Sequence, residues 1–271
     1  PYGTATGSDV FVAGDVAVLT NPTTYFDSFV GVLNHEVGHA LGLPHPHENT
    51  PTLVTGDASG LNTIMGYDGR PTSLVDFQVL DIAALQYIYG PSTKIRAGND
   101  TYNISESSTN FVWDGVGVDN INAASASKPV TIYLTPGYWG YAGTTPANYI
   151  TAPGQITVNF GTVIENLIGS NYDDRLYGNE VGNKIEGGTG SDSIEGWGGD
   201  DTLLGGGGHD YLTGGSGNDS VEGGDGNDTL VVSGISTNYT IRFDSITQSY
   251  LIEAKSGTDG KDTFKTIEFL K

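Results

Sequence analysis

The chain has 271 residues, with 32 Asp and Glu against 11 Lys and Arg, a formal net charge of −21. That balance rules against nucleic acid or an anionic membrane as a partner and fits a protein neutralised by bound cations. With no cysteine present, metals rather than disulfides must supply any cross-links; no apolar run is long enough to span a membrane, and the first residues do not form a signal peptide.

The first informative element runs from His35 to His45, reading His-Glu-Val-Gly-His-Ala-Leu-Gly-Leu-Pro-His. On an α-helix His35 and His39 project from one face, one turn apart, and can grip one metal ion. Gly42 lets the backbone leave the helix in a left-handed conformation, which returns His45 to the metal. Three protein ligands leave a fourth position for water, the arrangement of a catalytic zinc. Glu36 is placed to take a proton from that water as it attacks a carbonyl. Val32, Leu33, Val37, Ala40 and Leu41 would form a core-facing helix without any metal. Core packing, however, does not require three of the chain's five histidines within eleven residues. His47 and His209 read as solvated loop residues.

Next, Asn62-Thr63-Ile64-Met65-Gly66-Tyr67 carries the single methionine in a short turn between Gly60 and Gly69. The histidine motif followed by this turn resembles the metzincin zinc metalloproteases, and Tyr67 two residues after Met65 is similar to the serralysin pattern. The resemblance implies one Zn2+ on His35, His39 and His45, with Glu36 as general base and Tyr67 as oxyanion stabiliser. Residues Asp76 to Tyr89, with Phe77, Leu80, Ala84, Leu85 and Ile88 at helical spacing, predict an amphipathic helix ended by Gly90-Pro91. Its second half is similar to the helix that closes a serralysin catalytic domain.

From Ser92 to Ile168, β-branched and aromatic runs alternate with Gly, Pro and Asn turns, which predicts an all-β segment. Within it, the loops holding Arg96, Gly98 and Asp100 and holding Asp114, Gly117 and Asp119 look like those of a serralysin calcium site. Glu165 resembles a ligand of the first calcium in the roll that follows.

Gly169 to Val231 is seven uninterrupted nonapeptides close to Gly-Gly-x-Gly-x-Asp-x-aliphatic-x. The sixth position holds Asp174, Asn183, Asp192, Asp201, Asp210, Asp219 and Asp228; the eighth is always Leu, Ile or Val. This periodicity predicts a parallel β-roll with two repeats per rung, so that residues 18 apart stack about 4.8 Å apart along an edge. Carboxylates so close repel unless a cation lies between them, and calcium accepts six to eight oxygens. The repeats resemble RTX proteins. That likeness implies carbonyl ligands at positions two and four, here Gly188, Gly190, Gly199, Gly206, Gly208, Gly215, Gly217, Gly224 and Gly226, together with the aspartates at six. The repeat from Gly178 to Glu186 has Asn183 and few glycines, so calcium near it is expected to be weak or absent. Residues 232 to 271 are expected to cap the roll with antiparallel strands such as Tyr239 to Phe243.

The expected fold is therefore an α+β partial metzincin catalytic domain followed by an all-β domain, a parallel β-roll or β-sandwich. Residues 1–90 would be the carboxy-terminal part of the protease domain, 91–168 a β-rich connection, 169–231 the calcium roll and 232–271 the cap. Ser8 to Ala13 resembles the edge strand against which a serralysin substrate pairs, but the supporting sheet does not precede it. The chain is accordingly expected to be a product or segment of a longer one. The expected function is a secreted zinc endopeptidase exported by a type I route, with one Zn2+, several Ca2+, and a protein or peptide as substrate. Further partners would be the missing amino-terminal part of its own catalytic domain or an inhibitor. The alternative is a non-catalytic, calcium-dependent binding or adhesion module, or an inactive fragment of a cleaved precursor.

Overall fold

The structure is a computed structural model that describes residues 37, 38, 41, 43, 78–90, 92, 94, 96–148 and 150–271. It divides into two compact units, Pro1–Gly90 and Pro91–Lys271. No helix among the described residues is long and apolar enough to cross a membrane.

In the first unit, helix α1 spans Val79–Tyr89. It starts where the Asp81 carboxylate accepts the Gln78 N–H at 2.8 Å, satisfying an amide that the helix leaves unpaired. It stops at Gly90, whose φ of +79° suits glycine. Residues 76 and 77, the expected start, lie outside the described residues. The expected apolar stripe is only partly realised. Ala84 and Leu85 pack on the buried Leu43, yet Ile88 is 50% exposed while Asp81, held by its capping bond, is 2% exposed. A second helical turn closes where the Leu41 N–H donates to the Val37 carbonyl at 2.9 Å. The Leu43 N–H reaches back to the Gly38 carbonyl at 2.9 Å, the six-to-one closure of a Schellman helix end.

The second unit is built from strands: β1 (Thr101–Asn103), β2 (Asn110–Val112), β3 (Asn120–Asn122), β4 (Val130–Tyr133), β5 (Gly140–Ala142), β6 (Gln155–Val158), β7 (Asn166–Ile168), β8 (Arg175–Asn179), β9 (Lys184–Thr189), β10 (Ser193–Gly198), β11 (Thr202–Gly208), β12 (Tyr211–Ser216), β13 (Ser220–Gly226), β14 (Thr229–Leu230), β15 (Tyr239–Asp244), β16 (Ser249–Ala254), β17 (Lys261–Lys265) and β18 (Phe269–Leu270). They form two sheets, ordered β1-β3-β7-β9-β11-β13-β17-β16-β15 and β18-β14-β12-β10-β8-β4-β5-β6-β2. Successive nonapeptides alternate between the sheets. Pairing is parallel with Ile194 opposite Leu212 and Leu203 opposite Val221, the 18-residue register expected of two repeats per rung. The core is the eighth-position column of each sheet. Leu176, Ile194 and Leu212 face inward from one, and Ile185 and Leu203 from the other, all fully buried. Each such aliphatic contributes on the order of 2 kcal/mol by leaving water.

The parallel stack also extends beyond the seven repeats. Upstream, Tyr102 pairs with Ile121 and Ile121 with Leu167. Downstream, Val221 pairs with Phe264 and Leu230 with Leu270, both in parallel. The expectation of antiparallel strands over 232–271 holds for the segment from Tyr239 to Lys265, but does not foresee that its last two strands extend the parallel roll. β15, β16 and β17 do pair antiparallel in sequence, but β17 and β18 also join the parallel stack and continue the roll, with Phe264 and Leu270 at its next apolar positions.

Candidate metal-binding edges of the roll

Two residues before each inward-facing side chain sits an oxygen-bearing one, and these residues form a ladder along each edge. On one edge the backbone N–H of Asp174 donates to Asp192 Oδ1, that of Asp192 to Asp210 and that of Asp210 to Asp228, at 2.8 to 2.9 Å. On the other, Asn183 donates to Asp201 Oδ1 at 2.7 Å and Asp201 to Asp219 at 2.9 Å. One oxygen of each carboxylate is therefore fixed by the backbone. The second oxygen of Asp192, Asp201, Asp210, Asp219 and Asp228 is buried without a hydrogen-bond partner.

A buried carboxylate oxygen with no donor is costly, and five in register call for a cation. Burial, reinforced by the neighbouring carboxylates of each ladder, pushes Asp192 and Asp201 up to about 7 and Asp210 up to about 6. The glycines leave room for the acid. A Cβ on Gly205 would lie 2.5 Å from the Gly223 carbonyl and closer still to Asp210 Oδ2. The expected carbonyl donors Gly188, Gly190, Gly199, Gly206, Gly208, Gly215, Gly217, Gly224 and Gly226 all take positive φ, and Trp197 occupies the second position of its repeat at φ +75°. Such turns aim successive carbonyls at one point, which is what a hard cation with many oxygen ligands needs.

Two rungs depart from this pattern. Asp174 has both oxygens occupied: Oδ1 accepts from the Val130 N–H at 2.7 Å and the Ser170 hydroxyl at 2.9 Å, and Oδ2 accepts from the Ser170 N–H at 2.5 Å. At Asn183 the amide does what a cation would do elsewhere. Its Nδ2 donates to the Glu165 carbonyl at 3.2 Å and to Asn179 Oδ1 at 3.1 Å, while its Oδ1 accepts the Asn179 N–H.

Upstream, Asp100, Asp114 and Asp119 bring one carboxylate oxygen each within 4.8 Å of the others. Asp114 Oδ1 and Asp119 Oδ2 are buried without partners. Asp119 Oδ1 accepts the Asp100 N–H at 2.8 Å, and Glu165 accepts the Asp119 N–H at 2.7 Å, so this cluster and Glu165 continue the same ladder. Burial raises both Asp119 and Glu165 above the usual carboxylate range. Gly117 stacks against the Gly98 carbonyl, where no Cβ would fit. Arg96, expected in the calcium loop, gives its carbonyl to the Gly115 N–H at 3.3 Å and lays its guanidinium over Trp113 at 4.5 Å.

His35, Glu36, His39, His45, Met65 and Tyr67 lie outside the described residues, as do Ser8 to Ala13 and His47. What is described beside the motif is the pair of helix-closing bonds at Leu41 and Leu43, and the Tyr89 hydroxyl donating to the Leu41 carbonyl at 2.9 Å. His209 is not merely solvated. It is exposed, but its Nδ1 accepts the Asn227 N–H at 2.9 Å and its own N–H donates to Ser191. Sequence reading missed Asp262 and Glu268, which accept the Asp219 and Asp228 N–H groups at 3.0 and 2.7 Å and so extend both ladders.

Comparison with known proteins agrees with this edge chemistry. The family described as RTX calcium-binding nonapeptide repeat matches residues 161–180, 181–212 and 204–233. Serralysin C of Dickeya chrysanthemi is 33% identical over 172 residues, covering 52% of this chain and 34% of the relative. A serralysin of Proteus mirabilis is 30% identical over 53% of this chain and 34% of its own length. Metallopeptidase AprA of Pseudomonas marginalis is 30% identical over 52% of this chain and 35% of its own. The match thus spans about a third of each of these relatives, and it falls on the repeat-bearing half of the chain. Calcium binding by the repeats follows from these matches; a metzincin catalytic domain does not.

Proposed function

We propose, from the premise that the chain is a serralysin-family RTX protein through its carboxy-terminal half, that it works as a secreted zinc endopeptidase whose calcium-loaded roll completes its fold outside the cell. The spacing of His35, Glu36, His39 and His45 carries the catalytic part of this reading. The helix-closing bonds at Leu41 and Leu43 support it, since a helical turn broken after position 41 is what the spacing needs. His35, His39 and His45 would hold zinc, which when bound supplies a Lewis acid. Glu36 would take the proton of the attacking water, and Tyr67 would donate a hydrogen bond to the developing oxyanion.

The roll serves export and stability. Where calcium is scarce its buried carboxylates oppose folding; where calcium is millimolar they hold the rungs together. The cluster of Asp100, Asp114 and Asp119 would take a further calcium upstream of the repeats. A protein or peptide would be the substrate, with an inhibitor or a polypeptide that supplies further sheet to the catalytic domain as a further partner. The net charge opposes nucleic acid and anionic membrane.

Turnover of casein by the parent and by Glu36→Ala, with zinc content measured in both, tests this. Activity in the parent with loss of at least a thousandfold in the variant at unchanged zinc is expected. Equal turnover would remove the enzyme and leave a calcium-dependent binding module.

A further inference from the structure

Residues 257–265 read Gly-Thr-Asp-Gly-Lys-Asp-Thr-Phe-Lys, which fits the nonapeptide at positions one, four, six and eight. They lie apart from the seven contiguous repeats, separated by the segment that holds the β15–β16 hairpin. In space, however, they take the place of the next repeat. Ser220 pairs with Thr263 and Val221 with Phe264, at 43 positions' separation in place of the usual 18. Asp262 Oδ1 accepts the Asp219 N–H at 3.0 Å, as Asp219 Oδ1 accepts that of Asp201 at 2.9 Å. Gly260 crowds the Gly217 carbonyl in the way Gly217 crowds that of Gly199.

We infer that this eighth, displaced nonapeptide holds a divalent cation of the calcium class against the turn from Gly214 to Asp219. The inference rests on the calcium reading of the contiguous repeats and adds a site that those repeats do not include. A cavity of about 170 Å³ lies between the two turns, lined in part by Gly214, Gly215, Thr258, Asp259 and Asp262. That volume is ample for an ion with a water or two. Its lining carries two carboxylates and no Lys, Arg or His. Over Gly214 sits Asp219 Oδ2, on a side chain 2% exposed, buried and without a hydrogen-bond partner. Asp262 is 8% exposed and uses only Oδ1, toward the Asp219 N–H. The buried Asp262 and the half-buried Asp259 share this cavity with no counter-charge, and Asp219 stands buried in the facing turn; acids so placed call for a cation for the same reason as each contiguous rung.

Such a cation would also fasten the insertion. Asp259 Oδ2 accepts from the Ser233 hydroxyl at 2.5 Å and from the Tyr239 hydroxyl, so the turn that closes on the ion also holds the start of the hairpin.

Crystals of the whole chain grown in calcium and soaked with terbium would locate the ions by anomalous scattering. An anomalous peak between residues 214–219 and 257–262, absent in Asp262→Asn while peaks at earlier turns persist, is expected. Peaks at the earlier turns with none at this position in the parent would overturn the inference while leaving the calcium roll intact. A parent without a peak at any turn would overturn the calcium reading itself, and this site with it. A peak retained in Asp262→Asn would reject Asp262 as a ligand. Should that variant not fold, the parent map alone decides.

Discussion

Asp192 gives its backbone N–H to Asp210 Oδ1 at 2.8 Å, and the remaining oxygen of each carboxylate is buried with no partner. One half of every such acid is spent on holding the rungs in register, and the other half is left for something the polypeptide does not supply. Five residues of the repeats share this state, at intervals that bring them into two columns, and Asp119 upstream shares it too.

Chelation follows directly. Near pH 7.5 in excess chelator the strands of the roll should lose their β-sheet circular dichroism, and added calcium should restore it cooperatively. Each cation held at about a hundredfold over its dissociation constant contributes roughly 2.7 kcal/mol. Several together exceed the whole stability of a typical domain, about 5 to 15 kcal/mol. An unchanged spectrum and melting temperature in chelator would show that the orphaned oxygens are tolerated without metal.

Acid should substitute for calcium in part. Asp192, Asp201 and Asp262 are raised from 3.8 to about 7, and Asp210 to about 6, chiefly by burial. Because the folded values lie above the unfolded one, the metal-free fold gains from protonation below about pH 4 and loses that gain as pH rises through 6 to 7. Calcium must displace those protons, so its apparent affinity should climb between pH 5 and 7 and level off above. Titrating calcium at several pH values while following circular dichroism checks both. A metal-free fold that becomes more stable from pH 4 to 7 would contradict the assignment.

The contiguous repeats were legible because burial and turn chemistry recur every nine residues, and the register Ile194 to Leu212 follows from arithmetic alone. Three further half-turns were not. Tyr102 and Ile121 stack at 19 residues rather than 18, Ile121 and Leu167 at 46, and Val221 and Phe264 at 43, each offset set by a loop or hairpin whose length no period reveals. Asp114 stands where the first glycine of a repeat belongs, which hides the likeness of 114–122 to its neighbours. The signal left in 257–265 was the pairing of Asp262 with Phe264 two residues on. At α1 the apolar spacing gave the helix but misplaced its buried side, because a capping carboxylate at Asp81 is buried for its hydrogen bond and not for its hydropathy. Of the zinc motif, the sequence spacing predicts the ligands, which lie outside the described residues; beside them only the helix-closing bonds at Leu41 and Leu43 are described.

Asn183 offers a test of whether an amide can stand in for an ion. Its Nδ2 joins the Glu165 carbonyl to the 178–183 turn without a metal, and its Oδ1 keeps the Asn179 N–H satisfied. In Asn183→Asp the donor becomes a second carboxylate oxygen facing a carbonyl, at a position only 3% exposed. Turning a buried bond into a buried repulsion costs about 1 to 3 kcal/mol. The turn around it lacks the glycines that aim carbonyls inward elsewhere, so a cation bound there would recover little of that loss. The calcium concentration at the folding midpoint should therefore rise severalfold or more, while Asp201→Asn, which removes a carboxylate whose second oxygen is unpartnered, should abolish one bound cation instead. A midpoint in Asn183→Asp equal to or below that of the parent would mean that the amide is not what holds this rung.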